Sequence, residues 1–310
     1  MNVLMPVTAE PVGDVTAVLG EGPYWRADDE TLLWVDIPRG LLHMTRVQLG
    51  ETITVELGEV SAVFPAVGGG VLTVGGRKLT LRATRPGEGW AGQTVAEVPA
   101  KERVRFNDAA VDPAGRVWVG SMDIHEREPL GELYRLDSGR ALTMVLKGAT
   151  VSNGLGWSPD GTRMYYNDSP MRRIDMFDYD QATGEAFQRR VFADLSAADG
   201  FPDGLTVDAD GCVWVAMFAG GTLRRFTPAG RPDAVVPLPV SQPTSCAFGG
   251  PGLADLFVTT ATRDLSDAQL AAEPFAGRLL RLRPGPVGLP STTAEAFIPT
   301  DPSEPGEPTG

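Results

Sequence analysis

Six short stretches of the chain are dominated by apolar and aromatic residues, and most follow a polar turn. They are 32–36 (LLWVD), 70–75 (GVLTVG), 116–121 (RVWVGS), 163–168 (RMYYND), 212–217 (CVWVAM) and 255–260 (DLFVTT). Their starts lie 38, 46, 47, 49 and 43 residues apart. β-Branched and aromatic runs of this length predict strands, and a recurrence every 40 to 50 residues or so is the spacing of a four-stranded propeller blade. The turns recur as well: 112–115 (DPAG), 158–161 (SPDG), 208–211 (DADG) and, more loosely, 26–29 (RADD). Pro there fixes φ, and Gly takes the position with positive φ. Shorter strand-like runs flank the turns and main stretches, among them 205–207, 222–226 and 131–136. Three or four strands in each of six repeats, with little helix, predict an all-β fold. The reading is a six-bladed β-propeller spanning 1–298 as a single domain, its closure hiding the edges that an open sheet exposes.

Two segments depart from this rhythm. The run 266–273 (SDAQLAAE) predicts a short helix, with Ser266 and Gln269 spaced as a capping box and Pro274 stopping it. It lies in an insertion in the last repeat, where it serves either as a plain connection or as a rim element beside a site. The segment 299–310, rich in Pro, Glu and Gly, is expected to be disordered.

Composition narrows the partners. The formal net charge is −13, which argues against nucleic acid and anionic membranes, since both favour Lys and Arg. No apolar run is long enough to span a bilayer, and the first ten residues lack a basic-then-apolar signal pattern. Cys212 and Cys246 lack CxxC spacing and are expected to be buried thiols in a cytoplasmic protein. A monomer or weak homo-oligomer is expected.

In a propeller the first strand of each blade lines the axis, so polar residues leading into those strands converge on one face. Here they read Glu21-Gly22-Pro23, Arg105-Phe106-Asn107-Asp108, Ser152-Asn153-Gly154, Pro202-Asp203-Gly204 and Pro243-Thr244-Ser245, while the second repeat offers the mostly apolar 61–65 (SAVFP). Any one Asn-Gly or Asp-Gly pair is a common turn dipeptide. Glu21, Asn107, Asn153 and Asp203 in equivalent places instead suggest oxygen ligands for Ca²⁺, Mg²⁺ or Mn²⁺. The chain's two histidines, His43 and His125, rule out a histidine-rich zinc site, and His43, in a strand-like run, reads as structural. The Gly68–Gly70 and Gly75–Gly76 clusters lack phosphate-loop or dinucleotide spacing.

At these residues the chain resembles the senescence-marker protein, regucalcin and gluconolactonase family. The matching stretches are LGEGPYW from Leu19, RFNDAAVDPAGRVWVGSM from Arg105, SNGLGWSPDGTRMYYND from Ser152, FPDGLTVDADGCVWVA from Phe201 and PTSCAFGG from Pro243. The resemblance implies a six-bladed propeller that hydrolyses sugar lactones with one divalent ion. That ion varies among members; calcium is the first candidate, with magnesium, manganese, zinc or iron(II) as alternatives. It implies Glu21, Asn153 and Asp203 as metal ligands, and Arg105 and Asn107 as substrate contacts, with Asn107 near the metal or bound through water. In some members an acidic residue after the third-blade GxM segment holds the sugar. The corresponding stretch here is Ser121-Met-Asp-Ile-His-Glu126, in which Asp123, His125 or Glu126 takes that place, with Asp123 the substrate-binding candidate. Asp203 is expected to be the general base, with the metal as Lewis acid and water activator. Hydrolysis of another ester or an organophosphate on the same scaffold, and calcium binding without catalysis, are the competing readings.

Overall fold

Each of the six apolar stretches becomes the second strand of a four-stranded antiparallel sheet, where neighbouring blades cover both of its faces. That is why the stretches read as continuous runs and not as an alternation. The structure is a computed structural model and describes residues 7–83, 90–99, 101–137 and 142–295. The segment 299–310, expected to be disordered, lies outside them. The strands Thr31–Asp36, Val71–Gly75 and Asp255–Thr260 are buried throughout, whereas the outermost strands Glu51–Glu56 and Glu185–Asp194 are largely exposed.

From the axis outward, blade 1 is Gly20–Arg26, Thr31–Asp36, Leu41–Arg46 and Glu51–Glu56. Blade 2 is Ala62–Pro65, Val71–Gly75, Lys78–Arg82 and Gly92–Glu97, and blade 3 is Val104–Val111, Val117–Asp123, Gly131–Leu136 and Leu142–Ala149. Ser152–Trp157, Arg163–Asp168, Arg173–Asp180 and Glu185–Asp194 make blade 4; Phe201–Val207, Val213–Phe218, Thr222–Phe226 and Pro232–Pro237 make blade 5. Blade 6 has Pro243–Gly249, Asp255–Thr260 and Leu279–Leu282, and takes its outermost strand, Glu10–Val12, from the start of the chain. Val12 stands opposite Leu279 and Glu10 opposite Arg281. The fold is a six-bladed β-propeller.

An apolar core fills each interface between adjacent blades. Trp118 of blade 3 meets Trp157 and Tyr179 of blade 4, with ring centroids 6.0 and 6.1 Å away. Trp25 and Trp34 of blade 1 pack with Val12 and Phe257 of blade 6, so the closing interface is as hydrophobic as the others. Fully burying side chains of this size contributes about 1.5–3 kcal/mol each.

The recurrent Asp-x-x-Gly turns do more than reverse the chain. Asp208 is fully buried; its Oδ1 accepts from the backbone N–H groups of Asp210 and Cys212, and its Oδ2 from Trp214 Nε1 (2.9 Å) and from Arg225 Nε and Nη2 (2.9 and 2.7 Å). Asp112 repeats the arrangement with Ala114, Arg116 and Trp118. One carboxylate thus caps the hairpin and pins the indole of the following strand.

His43 is structural, as its strand-like setting suggests. It is 2% exposed, its Nδ1 lies 2.9 Å from Thr54 Oγ1, its Nε2 has no hydrogen-bond partner among the described residues, and its ring lies 4.4 Å from that of Trp34, tilted by 40°. Burial pushes its pKa down to about 4, against the opposing pull of Asp36. Between that value and the unfolded value of about 6.5, the unfolded chain binds one proton more than the folded one. Stability therefore rises with pH across this window and is lost as pH falls through it, by at most about 3 kcal/mol. Unfolding titrations of His43→Gln between these pH values should lose that one-proton slope; an unchanged slope would refute the assignment. Cys212 and Cys246 are free, buried thiols, and among the described residues no helix is long and apolar enough to cross a membrane.

The predicted helix forms at Asp267–Ala272, with the reciprocal Ser266–Gln269 capping box in place. It belongs to the connection 261–278 between the second and third strands of blade 6, on the face where the leading polar residues gather.

Candidate active site

The polar residues identified from sequence lie at the starts of the inner strands, and a backbone irregularity aims them. Five of the six inner strands carry a β-bulge, at Glu21/Tyr24, Phe106/Ala109, Asn153/Leu155, Pro202/Leu205 and Pro243/Ser245. Ala62–Pro65 of blade 2, whose leading residues are apolar, pairs in unbroken register. A bulge re-aims a side chain beside a functional site. The Asn-Gly and Asp-Gly pairs are therefore parts of bulged strands and not turns. Their glycines let inner strands crowd the axis: a Cβ on Gly154 (φ +32°) would lie 2.6 Å from the Asp203 carbonyl oxygen, and one on Gly204 would lie 2.0 Å from Ser245 Oγ.

Around this ring Asn153 and Asp203 are 6% and 7% exposed, and Glu21 is half-buried. Asn153 Nδ2 donates to Asp203 Oδ1 and, at 3.2 Å, to Ser169 Oγ, while its Oδ1 accepts from Gly154 N–H at 3.2 Å. Asn167 donates to the Asp203 backbone carbonyl at 2.7 Å, and its own Oδ1 is buried without a partner. Burial, followed by repulsion from Asp203 and Asp108, pushes the Glu21 carboxyl well above its ordinary range. Asp203 is pushed up by burial and then chiefly by Asp108. Asp108, next to Asn107 in the chain, is a third axial carboxylate, raised to about 6 by burial. Beneath it, towards the opposite face, lies an open cavity of about 360 Å³ whose lining includes 289–292.

These groups fit a hard cation. Buried carboxylates crowded together favour a positive ion between them. Turning the Asn153 amide by 180° exchanges Nδ2 for Oδ1 and brings an oxygen beside the Asp203 carboxylate. Among the described residues no three His, Cys, Asp or Glu side chains form a metal cluster of their own; Glu21, Asp203 and the Asn153 amide could hold a hard cation with water completing its shell.

Arg105 and Asn107 form the wall. Arg105 Nη1 donates to the Phe106 carbonyl at 2.8 Å and to Asn107 Oδ1 at 3.2 Å, and Asn107 Nδ2 donates to the Ser152 carbonyl at 3.0 Å, bracing blade 3 against blade 4. Asp123 does not join them. It is fully buried, and its carboxylate accepts from Arg103 Nη2 (2.9 Å) and from the N–H groups of His125, Arg127 and Glu128 (3.3, 3.2 and 3.1 Å). Burial opposes its charge, but those donors more than offset it and hold the carboxyl at about 2. These contacts tie the Asp123 carboxylate to its own loop. The acidic group it presents is Glu126, which is exposed and pairs at 2.8 Å with Arg263 from the blade 6 insertion. The insertion is thus a rim element.

Residues 19–262 match the family model described as the SMP-30/Gluconolactonase/LRE-like region. The chain is 33% identical over 297 residues to pentonolactonase XacC of Haloferax volcanii, covering 94% of this chain and all of that one. It is 33% identical over 272 residues to a 6-deoxy-6-sulfogluconolactonase of Pseudomonas putida, covering 86% and 91% of the two chains. The structure superposes on a calcium-binding protein, regucalcin, from Agrobacterium tumefaciens with a TM-score of 0.89, at 27% identity, over 95% of this chain and 99% of that one. The matched region takes in all five bulged inner strands, and on it this propeller belongs to the SMP-30/gluconolactonase/LRE-like family.

Proposed function

We propose that this protein hydrolyses sugar lactones to the corresponding sugar acids, with one divalent cation held by Glu21, Asn153 and Asp203. The observation that carries the reading is the convergence of two raised carboxylates and an amide on the axis beside Arg105 and Asn107. The lactonases named among the relatives support the substrate class. Calcium is the first candidate for the cation, and the structural match to a calcium-binding regucalcin supports a divalent ion there.

When bound, the ion polarises the ester carbonyl and makes water a better nucleophile. The rest falls to the chain. Arg105 and Asn107 orient the ring hydroxyls, a planar fork of donors being suited to an oxygen-rich ligand. Asp203 takes a proton from the attacking water as its oxygen adds to the carbonyl carbon. The bond between that carbon and the ring oxygen then breaks, and Asp203 returns the proton to the ring oxygen, which leaves as a hydroxyl. The bulged inner strands hold these groups on a rigid frame.

The test is a pH-stat panel of aldonolactones, aryl esters and organophosphates on the purified protein, paired with elemental analysis. Lactone opening that is lost on chelation and restored by a divalent cation is expected. Turnover confined to aryl esters or organophosphates would overturn the substrate class, and full activity after removal of all metal would overturn the cofactor.

A further inference from the structure

The connections between the second and third strands all lie on the face that carries the site. In blades 1, 2, 4 and 5 they are short: 37–40, 76–77, 169–172 and 219–221. In blades 3 and 6 they are long, 124–130 and 261–278. Those blades stand opposite each other in a ring of six, so two extended loops approach the axis from opposite sides. They meet where Arg263 Nη1 lies 2.8 Å from Glu126 Oε1, a contact between residues 137 apart in sequence.

Exposed pairs of this kind add little to stability, and these side chains are 39% and 40% exposed, so stability does not account for the geometry. Glu126 and Asp264, next to Arg263, have φ of +58° and +59°, a left-handed conformation that is uncommon for a residue such as Glu. The Asp123 carboxylate fixes the loop beneath Glu126, and the Gln242 side chain donates to the Arg263 carbonyl at 2.9 Å. The charge of Glu126 is felt by Arg105, as is that of Arg263.

We infer that Glu126 and Arg263 roof the site, and that the Glu126 carboxylate marks the place of an anionic group at the end of the substrate remote from the lactone carbonyl. The substrate class is then a sugar lactone that carries a second acidic group. On binding, that group displaces Glu126 from Arg263 and completes a charge-assisted contact, while neutral lactones leave the pair closed. This inference rests on the lactonase reading for its substrate class.

The experiment compares glucono-lactone, which is neutral, with a glucarolactone, which keeps a free carboxylate, on the wild type, Arg263→Gln and Glu126→Gln. Melting temperatures are recorded alongside to verify folding. The preference, as the ratio of kcat/KM for the charged over the neutral lactone, should fall about tenfold in Arg263→Gln, the loss of one charge-assisted contact. It should rise in Glu126→Gln, and the change should appear in KM more than in kcat. A preference unchanged in Arg263→Gln, or lowered in Glu126→Gln, overturns the roof. Calorimetry with gluconate and glucarate as probes reads the same preference without turnover: glucarate should bind more weakly than in the wild type after Arg263→Gln and more tightly after Glu126→Gln. A wild type that opens neither lactone yet follows this binding order would refute the lactonase reading and leave the roof standing; equal binding in all three proteins would refute the roof.

Discussion

Replacing Asp203 by Ala should lower lactone turnover by about 10²- to 10⁴-fold, the range for a positioned acid–base group, and should weaken the proposed cation site at the same time. The two losses share a cause. The carboxylate is 7% exposed, hydrogen-bonded to Asn153 through the side chain and held by Asn167 through the backbone, so nothing from solvent can take its place. Asp203→Asn keeps the shape and removes the charge, and it should be equally inactive if proton transfer is the essential role. The metal readout separates ligand from base: a cation that binds the folded protein raises its melting temperature, and that upshift should shrink in Asp203→Ala and in Glu21→Ala. Near-normal turnover in Asp203→Ala would sink the assignment. A full upshift with stoichiometric metal in Glu21→Ala would show that the ligand set is wrong.

The second large effect is on stability, far from the axis. Asp208→Asn should cost about 3 kcal/mol, because Trp214 Nε1 and the hairpin N–H groups lose their charged acceptor, while Arg225 keeps its 2.6 Å contact with Asp233. Arg225 is only 11% exposed, and its Nε and Nη2 both donate to Asp208 Oδ2, as does Trp214 Nε1. An amide there either turns its NH₂ on these donors or loses the acceptor that caps the hairpin. The contrast is Asp210, 74% exposed and 3.4 Å from the same guanidinium; Asp210→Asn should stay within about 0.5 kcal/mol. Denaturant titration of the two variants decides the matter, and equal effects would mean that burial is not what makes the Asp208 contact strong.

The propeller was legible because each blade's second strand is covered on both faces, so residues such as Trp118 and Trp214 fall in dense apolar runs that survive repetition. The axial set was legible because Glu21, Asn153 and Asp203 recur in register, although their glycines suggested turns. They proved to sit in bulged strands, where the tight approach of the next blade demands Gly. What sequence did not disclose depends on partners distant in the chain. Asp123 follows Ser121-Met122 as a substrate carboxylate would, yet its lone pairs are consumed by N–H groups two to five residues ahead, a local loop that no repeat announces. Arg263 and Glu126 are 137 residues apart on opposite blades, so their meeting had no periodic signal. Asp108 was hidden beside Asn107, because strand alternation by itself assigns neighbouring side chains to opposite faces.

The outermost strand of blade 6 has a consequence for biosynthesis. Glu10–Val12 is synthesised well before its partner Leu279–Leu282, and the Arg281–Glu10 contact spans 271 residues. Until that partner is made the early strand has no ladder to join, and the growing row of blades carries open edges at both ends that invite pairing with other chains. Completion of the ring is a non-local event of the kind that slows folding. Moving Glu10–Val12 to follow Leu282 by circular permutation would turn that long wait into a hairpin closure, and such a permutant should refold faster while keeping the same six interfaces.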